Sequence, residues 1–276
     1  MDYRSTDIQV SRQVAEWYTS FGKDLFILNL ASSCRHYRHG LPSWIPYFPR
    51  LGSHWCIGVI WWRFRTGMHQ ESVPRPFAST FSGELHVRGM SIDLATHLVS
   101  YSSKSCINRA DKFRNILDWE EACLAVSRSV FGEQGSSVPV AHWTTMISGI
   151  CDNNLNYDRL KSFLKAYSDG ENLPPELDAC NQDLVVQIRR FCQVLKLGTF
   201  FCTQNARIGL GPISTLPGDQ ICIFYKGFTP FILRPKPGPE LGPRYHLVGD
   251  SYTYSLMGNE AFQPASRKPD ETFILI

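Results

Sequence analysis

The stretch from Arg207 to Phe262 constrains the fold most, because it sets short apolar runs between strong turn signals. Ile221-Cys222-Ile223-Phe224-Tyr225 and Phe231-Ile232-Leu233 have strand length and are too short for buried helices. Between them, Lys226-Gly227-Phe228-Thr229-Pro230 supplies a turn, since glycine accepts left-handed backbone and proline fixes a bend. Tyr245-His246-Leu247-Val248-Gly249 predicts a further strand. The prolines at 235, 237, 239 and 243 make the intervening segment a stiff exposed loop. These signals predict a C-terminal β unit over 198–262.

Upstream, Val10, Val14, Trp17, Tyr18 and Phe21 recur at helical spacing and predict an amphipathic helix over 6–21. Thr6 or Asp7 caps it and Gly22 ends it. Leu25 to Leu30 is apolar and ambiguous in type. Leu41-Pro42-Ser43-Trp44-Ile45-Pro46-Tyr47-Phe48-Pro49 is extended, because proline removes donors, and its aromatics pin it to the body. Leu85, Val87 and Gly89 alternate with Glu84, His86 and Arg88, the pattern of a half-buried strand. The middle is helical, with helices expected at 111–131, 139–150, 157–168 and 181–196. The fold class is α+β, with antiparallel β elements at both ends flanking a helical middle. No βαβ alternation argues for a parallel sheet. A length of 276 residues fits one domain over 1–276.

The formal charge is only +3, and the basic clusters at Arg35–Arg38, Arg63–Arg65 and Arg189–Arg190 are scattered. A nucleic-acid partner needs a concentrated basic stripe, so none is expected. The N-terminus has no signal-peptide apolar core, and no apolar run is long enough to span a bilayer. The nine cysteines are odd in number, with no Cys-x-x-Cys pair. Free thiols and a cytoplasmic location are expected.

Standard catalytic motifs are absent. There is no Gly-x-Ser-x-Gly elbow and no P-loop. In Gly209-Leu210-Gly211-Pro212 a proline stands where a dinucleotide fingerprint would open its helix. Cys34, His36 and His39 lie beside Arg35 and Arg38, a cationic neighbourhood that opposes a dication. Asp152 and Asp158 are too far apart for a magnesium-binding cluster. No metal and no cofactor are expected. Nucleophilic sets that assemble only in space stay open. Seven Trp, eleven Tyr and seventeen Phe are core, or else wall an apolar pocket with polar donors at its rim.

Several blocks together resemble fungal heterokaryon-incompatibility (HET) proteins, in the region that follows their HET domain. Thr203-Gln204-Asn205-Ala206-Arg207-Ile208-Gly209-Leu210-Gly211-Pro212 resembles a Thr followed by a Gly-Arg-x-Gly-Leu-Gly-Pro run. Pro217-Gly218-Asp219-Gln220-Ile221-Cys222, Pro230-Phe231-Ile232-Leu233-Arg234-Pro235 and Tyr245-His246-Leu247-Val248-Gly249-Asp250-Ser251-Tyr252 resemble the next three blocks. Leu41-Pro42-Ser43-Trp44-Ile45-Pro46 resembles the Leu-Pro-Ser-Trp-x-Pro element. Ala206 replaces a glycine, and Tyr254-Ser255 replaces the usual His-Gly. The family's N-terminal HET domain has no counterpart before residue 41. Cys106-Ile107-Asn108-Arg109 echoes that domain's Cys-Ile-Asn-Gln motif but lies after the Leu-Pro-Ser-Trp element.

The resemblance implies two function classes. One is a cofactor-independent cyclase of the Diels–Alderase kind, acting on an apolar terpenoid or polyketide intermediate in fungal natural-product biosynthesis. Its catalytic donors would be Tyr225, His246, Tyr252 and Tyr254, with Trp44 and Trp61 as substrate-binding walls. The alternative is a non-enzymatic recognition or regulatory module of an incompatibility system, which implies a protein partner. The cyclase is the leading expectation from sequence.

Overall fold

A computed structural model of the chain describes residues 6–33, 40–50, 66–68, 77–79, 83–101, 109–132, 137–149, 161–162, 165–166, 198–237 and 243–276. Trp61, the 34–39 histidine segment, the 152–158 aspartate segment and the helix expected at 181–196 lie outside the described residues, as does most of the one expected at 157–168.

The helices are α1 (Asp7–Phe21), α2 (Phe26–Ser33), α3 (Arg109–Phe131) and α4 (Ser137–Met146). The strands are β1 (Phe77–Ser79), β2 (Leu85–Ser100), β3 (Gly198–Thr203), β4 (Ile208–Pro212), β5 (Gln220–Phe224), β6 (Phe231–Lys236), β7 (Arg244–Asp250), β8 (Tyr252–Thr253) and β9 (Glu271–Leu275). α1 begins with a capping box in which Thr6 and Gln9 satisfy each other's backbone donors.

The strands form a ring. β2 pairs with β5, β5 with β6, β6 with β7, β7 with β9, and β9 returns to β2. Every junction is antiparallel except β7–β9, which is parallel. β2 is long enough, at 16 residues, to serve four partners. Its first part pairs with β9 and with β1, its middle with β5 and its last part with β3. Gly89 sits where β5 and β9 both meet β2, and a Cβ there would lie 2.2 Å from the Ile223 carbonyl oxygen.

Each ring strand sends two alternate side chains inward: Leu85 and Val87, Cys222 and Phe224, Phe231 and Leu233, Tyr245 and Leu247, Phe273 and Leu275. Phe224 and Phe273 lie 5.4 Å apart by ring centroid although β5 and β9 do not pair. The two rings meet across β2 at Gly89, which carries no side chain to separate them. α2 and the Leu41–Ile45 segment pack into the same cluster, with Trp44 fully buried and its Nε1 donating to the Gly83 carbonyl at 2.9 Å.

The ring's outer face is also covered. Ile221, Ile232 and Val248 meet Ala95 and Phe201, so β3 lies over the ring. β4 and β8 continue that outer layer, and α3 and α4 pack on it through Ile116, Trp119, Ala141, Phe200, Leu210 and Tyr252.

The α+β class holds, but the arrangement differs from two β ends around a helical middle. The first described elements are helices, and β2 is no separate β end. It belongs to the same sheet as the C-terminal strands, because strand pairing joins residues far apart in sequence. The β unit also reaches beyond 262, since β9 completes the ring.

α1 differs in orientation. Its buried residues are Ser11, Ala15 and Thr19. Trp17 is 63% exposed and Phe21 73%. A surface helix ordinarily turns its apolar stripe inward; here Ser11, Ala15 and Thr19 face the body, with Ile8 and Tyr18 packed against the core beside them, while Trp17 and Phe21 face out.

Candidate functional site

The polar residues of the C-terminal loops form tight staples. In β2, Asp93 is 5% exposed and accepts from Thr203 Oγ1 at 2.7 Å, Asn205 Nδ2 at 2.9 Å, Arg207 Nη1 at 3.0 Å and the Leu94 amide at 2.9 Å. It therefore ties the whole Thr203–Arg207 turn between β3 and β4 to β2. Ala206, inside that turn, has φ +60°.

A second staple holds the β4–β5 loop. Arg234 donates from Nε to Asp219 Oδ1 at 2.8 Å and from Nη2 to Oδ2 at 2.9 Å. Nη2 also reaches the Ser214 carbonyl, and the Leu216 amide donates to Asp219. The fork matches the carboxylate geometry, which lysine could not do.

A third staple fastens α2. Asn29 Nδ2 donates to Thr229 Oγ1 at 3.0 Å and to Asp250 Oδ2 at 3.4 Å, while Ser32 Oγ accepts from the Asp250 amide at 2.8 Å. All four residues are buried. Gly249 lies in this crowd, and a Cβ there would sit 2.7 Å from Pro212 Cγ.

A fourth network lies between α3 and α4. His142 meets Ser127 Oγ through Nδ1 at 2.9 Å and Glu120 Oε1 through Nε2 at 3.1 Å, and Lys161 reaches Glu120 at 3.3 Å. The residue types match a nucleophilic relay. Their setting does not, because Ser127 and His142 are fully buried and Glu120 is 3% exposed. Ser127 also donates along its own helix to the Cys123 carbonyl. The network clamps two helices and offers no nucleophile to a substrate.

The candidate side chains are distributed as follows. Trp44 lies in the ring core. Tyr225 is buried, stacks on Phe262 and donates its phenol to Asp270, which also pairs with Arg88 and Arg267. Burial, and then the Asp270 hydrogen bond, push the Tyr225 phenol up to about 12. That bond in turn holds the Asp270 carboxyl below the ordinary carboxylate range, helped by Arg267. His246 is half-buried on β7, on the face opposite the inward Tyr245 and Leu247, and lies across from Arg234. Tyr252 and Tyr254 come together under α3 and α4. Burial pushes the Tyr252 phenol well up. Only this last pair shares a cluster; Trp61 lies outside the described residues.

The described cysteines, Cys123, Cys202 and Cys222, are free and buried, and burial pushes each thiol up. They act as small apolar core residues. Among the described residues no cluster of three or more His, Cys, Asp or Glu is arranged to hold a metal. No helix among them is long and apolar enough to cross a membrane.

The C-terminal strands of the ring and of the outer β layer lie in a region similar to a known domain. Residues 142–276 match the Het-6 beta-barrel domain. The match covers just under half of the chain. It begins after β2, so the described ring takes one of its five strands from outside the matched region. The chain is also 33% identical over 76 residues to heterokaryon incompatibility protein 6, OR allele, of Neurospora crassa. That stretch is 28% of this chain and 11% of the Neurospora protein, so the chain spans about a tenth of that relative's length. No solved structure matches the chain.

The Het-6 barrel match gives the sequence blocks a physical meaning. Gly209 lies against Phe201 and the Tyr252 carbonyl, where a Cβ would approach to 2.4 and 2.5 Å. Ala206 and Ser255, which stand where the resembling family carries glycine, both have left-handed backbone, at φ +60° and +61°. Asp93, Glu120 and His142 were not singled out from sequence. For Asp93 the signal was available: an aspartate inside a strand is disfavoured and asks for a partner.

Proposed function

We propose that the chain is a non-enzymatic recognition or regulatory module of a heterokaryon-incompatibility-like system, working through a protein partner. The supporting observation is the use made of its polar side chains. Asp93, Arg207, Asp219, Arg234 and Asp250 hold loops to the barrel. A recognition domain needs rigid loops on a stable frame. The likeness of residues 142–276 to the Het-6 barrel supports the same reading.

The module is read as one domain over 1–276, because β2 is shared between the matched barrel and the rest of the chain. A cytoplasmic site of action goes with this reading. The cyclase reading asks for phenols and indoles around one cavity. Trp44, Tyr225 and Tyr252 are buried in separate parts of the fold, and Tyr225 is already committed to Asp270. The cyclase is therefore the second choice.

Gene transfer tests the recognition reading. The gene is placed in a fungal strain that lacks it, and the transformant is fused with its untransformed parent. The reading expects slowed or aborted growth of the fused colony. Normal growth together with a new cyclised metabolite would reverse the order of the two readings.

A further inference from the structure

The two ends of the strand ring differ in chemistry. One end turns Leu85, Leu275, Leu247 and Phe231 inward, and α2 and the Leu41–Ile45 segment pack against it. At the other end the inward positions become polar. Gln220 opens β5, Glu271 opens β9, and Ser91 stands opposite Cys222 where β2 leaves the ring. Tyr245 reaches the same end from β7, its ring 5.4 Å from that of Phe273. Strand alternation fixes the inward sense of each group: Glu271 lies two residues before the inward Phe273, and Gln220 two before the inward Cys222.

These groups meet across the mouth. Burial first, then Glu271, push up the Cys222 thiol, which Ser91 eases. Burial first, then Cys222 and Glu271, push up the Tyr245 phenol, which Gln220 eases. Side chains from four strands therefore stand within reach of one another. Gln220 Oε1 is buried and has no hydrogen-bond partner, and a buried acceptor without a donor is costly. Glu271 is exposed and pairs with no cation among the described residues. The neighbouring cations are turned or engaged elsewhere. Arg234 and Arg244 alternate outward on β6 and β7 and hold Asp219 and Glu84, while Arg88 and Arg267 hold Asp270. Among the described residues, the mouth thus presents a negative charge, an unanswered acceptor and an aromatic ring.

We propose that the polar mouth of the ring binds a primary alkylammonium group. Three N–H donors suit the Glu271 carboxylate, Gln220 Oε1 and the Tyr245 phenol oxygen, and the positive charge suits the Tyr245 ring. Gln220 is half-buried, so a turn of its side chain brings the acceptor to the ligand. Exposed Pro235, opposite Tyr245, takes the alkyl chain. Cys222, Leu233 and Phe273 are fully buried and fill the space below, so the ligand caps the mouth and does not enter the barrel. Such a shallow site is weak, with a dissociation constant on the order of 1 mM. This inference goes beyond the recognition reading and does not rest on it.

Titration of the isotope-labelled full chain with n-hexylammonium chloride, followed by amide NMR spectra, tests it. The Gln220 side-chain amide and the Glu271 backbone amide should shift saturably. Uncharged n-hexanol should bind at least about tenfold more weakly. Glu271→Gln should weaken hexylammonium binding at least about tenfold, with unchanged circular dichroism because the side chain is exposed. Gln220→Met should weaken it as well, whereas Glu16→Gln, on α1, should bind like the wild type. Nα-acetyl-lysine methylamide binding more tightly than hexylammonium would assign the ammonium to a lysine of a protein partner; weaker binding would assign it to a free amine. The absence of any saturable shift well above millimolar hexylammonium would overturn the proposal. So would equal binding of n-hexanol, or a Glu271→Gln variant that binds like the wild type.

Discussion

Arg234 grips Asp219 through two parallel hydrogen bonds, at 2.8 and 2.9 Å, and Asp219 is 2% exposed. The pair closes the loop that joins the outer β layer to the ring. Arg234→Ala leaves a buried carboxylate facing only backbone donors and should cost about 3 kcal/mol. Arg234→Lys keeps the charge but loses the fork and should recover only part of that loss. Urea denaturation of both variants measures it.

Ala206 and Ser255 hold left-handed backbone, which strains any residue with a Cβ. Ala206→Gly and Ser255→Gly should each stabilise the fold by about 0.5–1 kcal/mol, and Ala206→Val should destabilise it by more than that. Thermal unfolding followed by circular dichroism gives the sign directly.

The Tyr225–Asp270 bond links stability to pH at both extremes. Asp270 titrates below its ordinary value when folded, so its contribution is present above pH ~4 and is lost as pH falls through the folded value. Tyr225 titrates at about 12 when folded, so its contribution is full below pH ~10 and is lost as pH rises toward 12. Asp270→Asn should flatten the acid limb of the stability profile. Tyr225→Phe should remove one late-titrating phenol from the ultraviolet titration near pH 12.

β2 pairs with β9, β5 and β3, so the barrel should not fold without it. A fragment of residues 142–276 should be unstructured or aggregated, because three strands lose a neighbour and expose unpaired edges. A fragment of 83–276 should retain β circular dichroism. A cooperative unfolding transition from the shorter fragment would contradict this.

Local patterns read well from sequence where one segment settles its own form. α1, α3 and the strands around the Lys226–Pro230 turn lie close to where periodicity puts them. The long-range relations did not read. Period alone marks the Val10-Val14-Trp17-Phe21 stripe but cannot tell that Ser11, Ala15 and Thr19, being small, let α1 approach the body on the other side. Nor does any local signal state that Leu85–Ser100 has four partners or that Glu271–Leu275 runs parallel to β7. The staples were half legible: Arg234 and Asp219 stood in recognisable blocks, while the partner of Arg207 lay more than a hundred residues away, at Asp93. The aromatic candidates were chosen for their chemistry, and burial is what separates them.

Deletion of the gene, scored for both cell-fusion compatibility and extracted small molecules, tests the recognition reading most directly. A recognition module changes the outcome when the deletion strain is fused with tester strains and leaves the metabolite profile unchanged. An accumulated uncyclised precursor with unchanged fusion behaviour would contradict it.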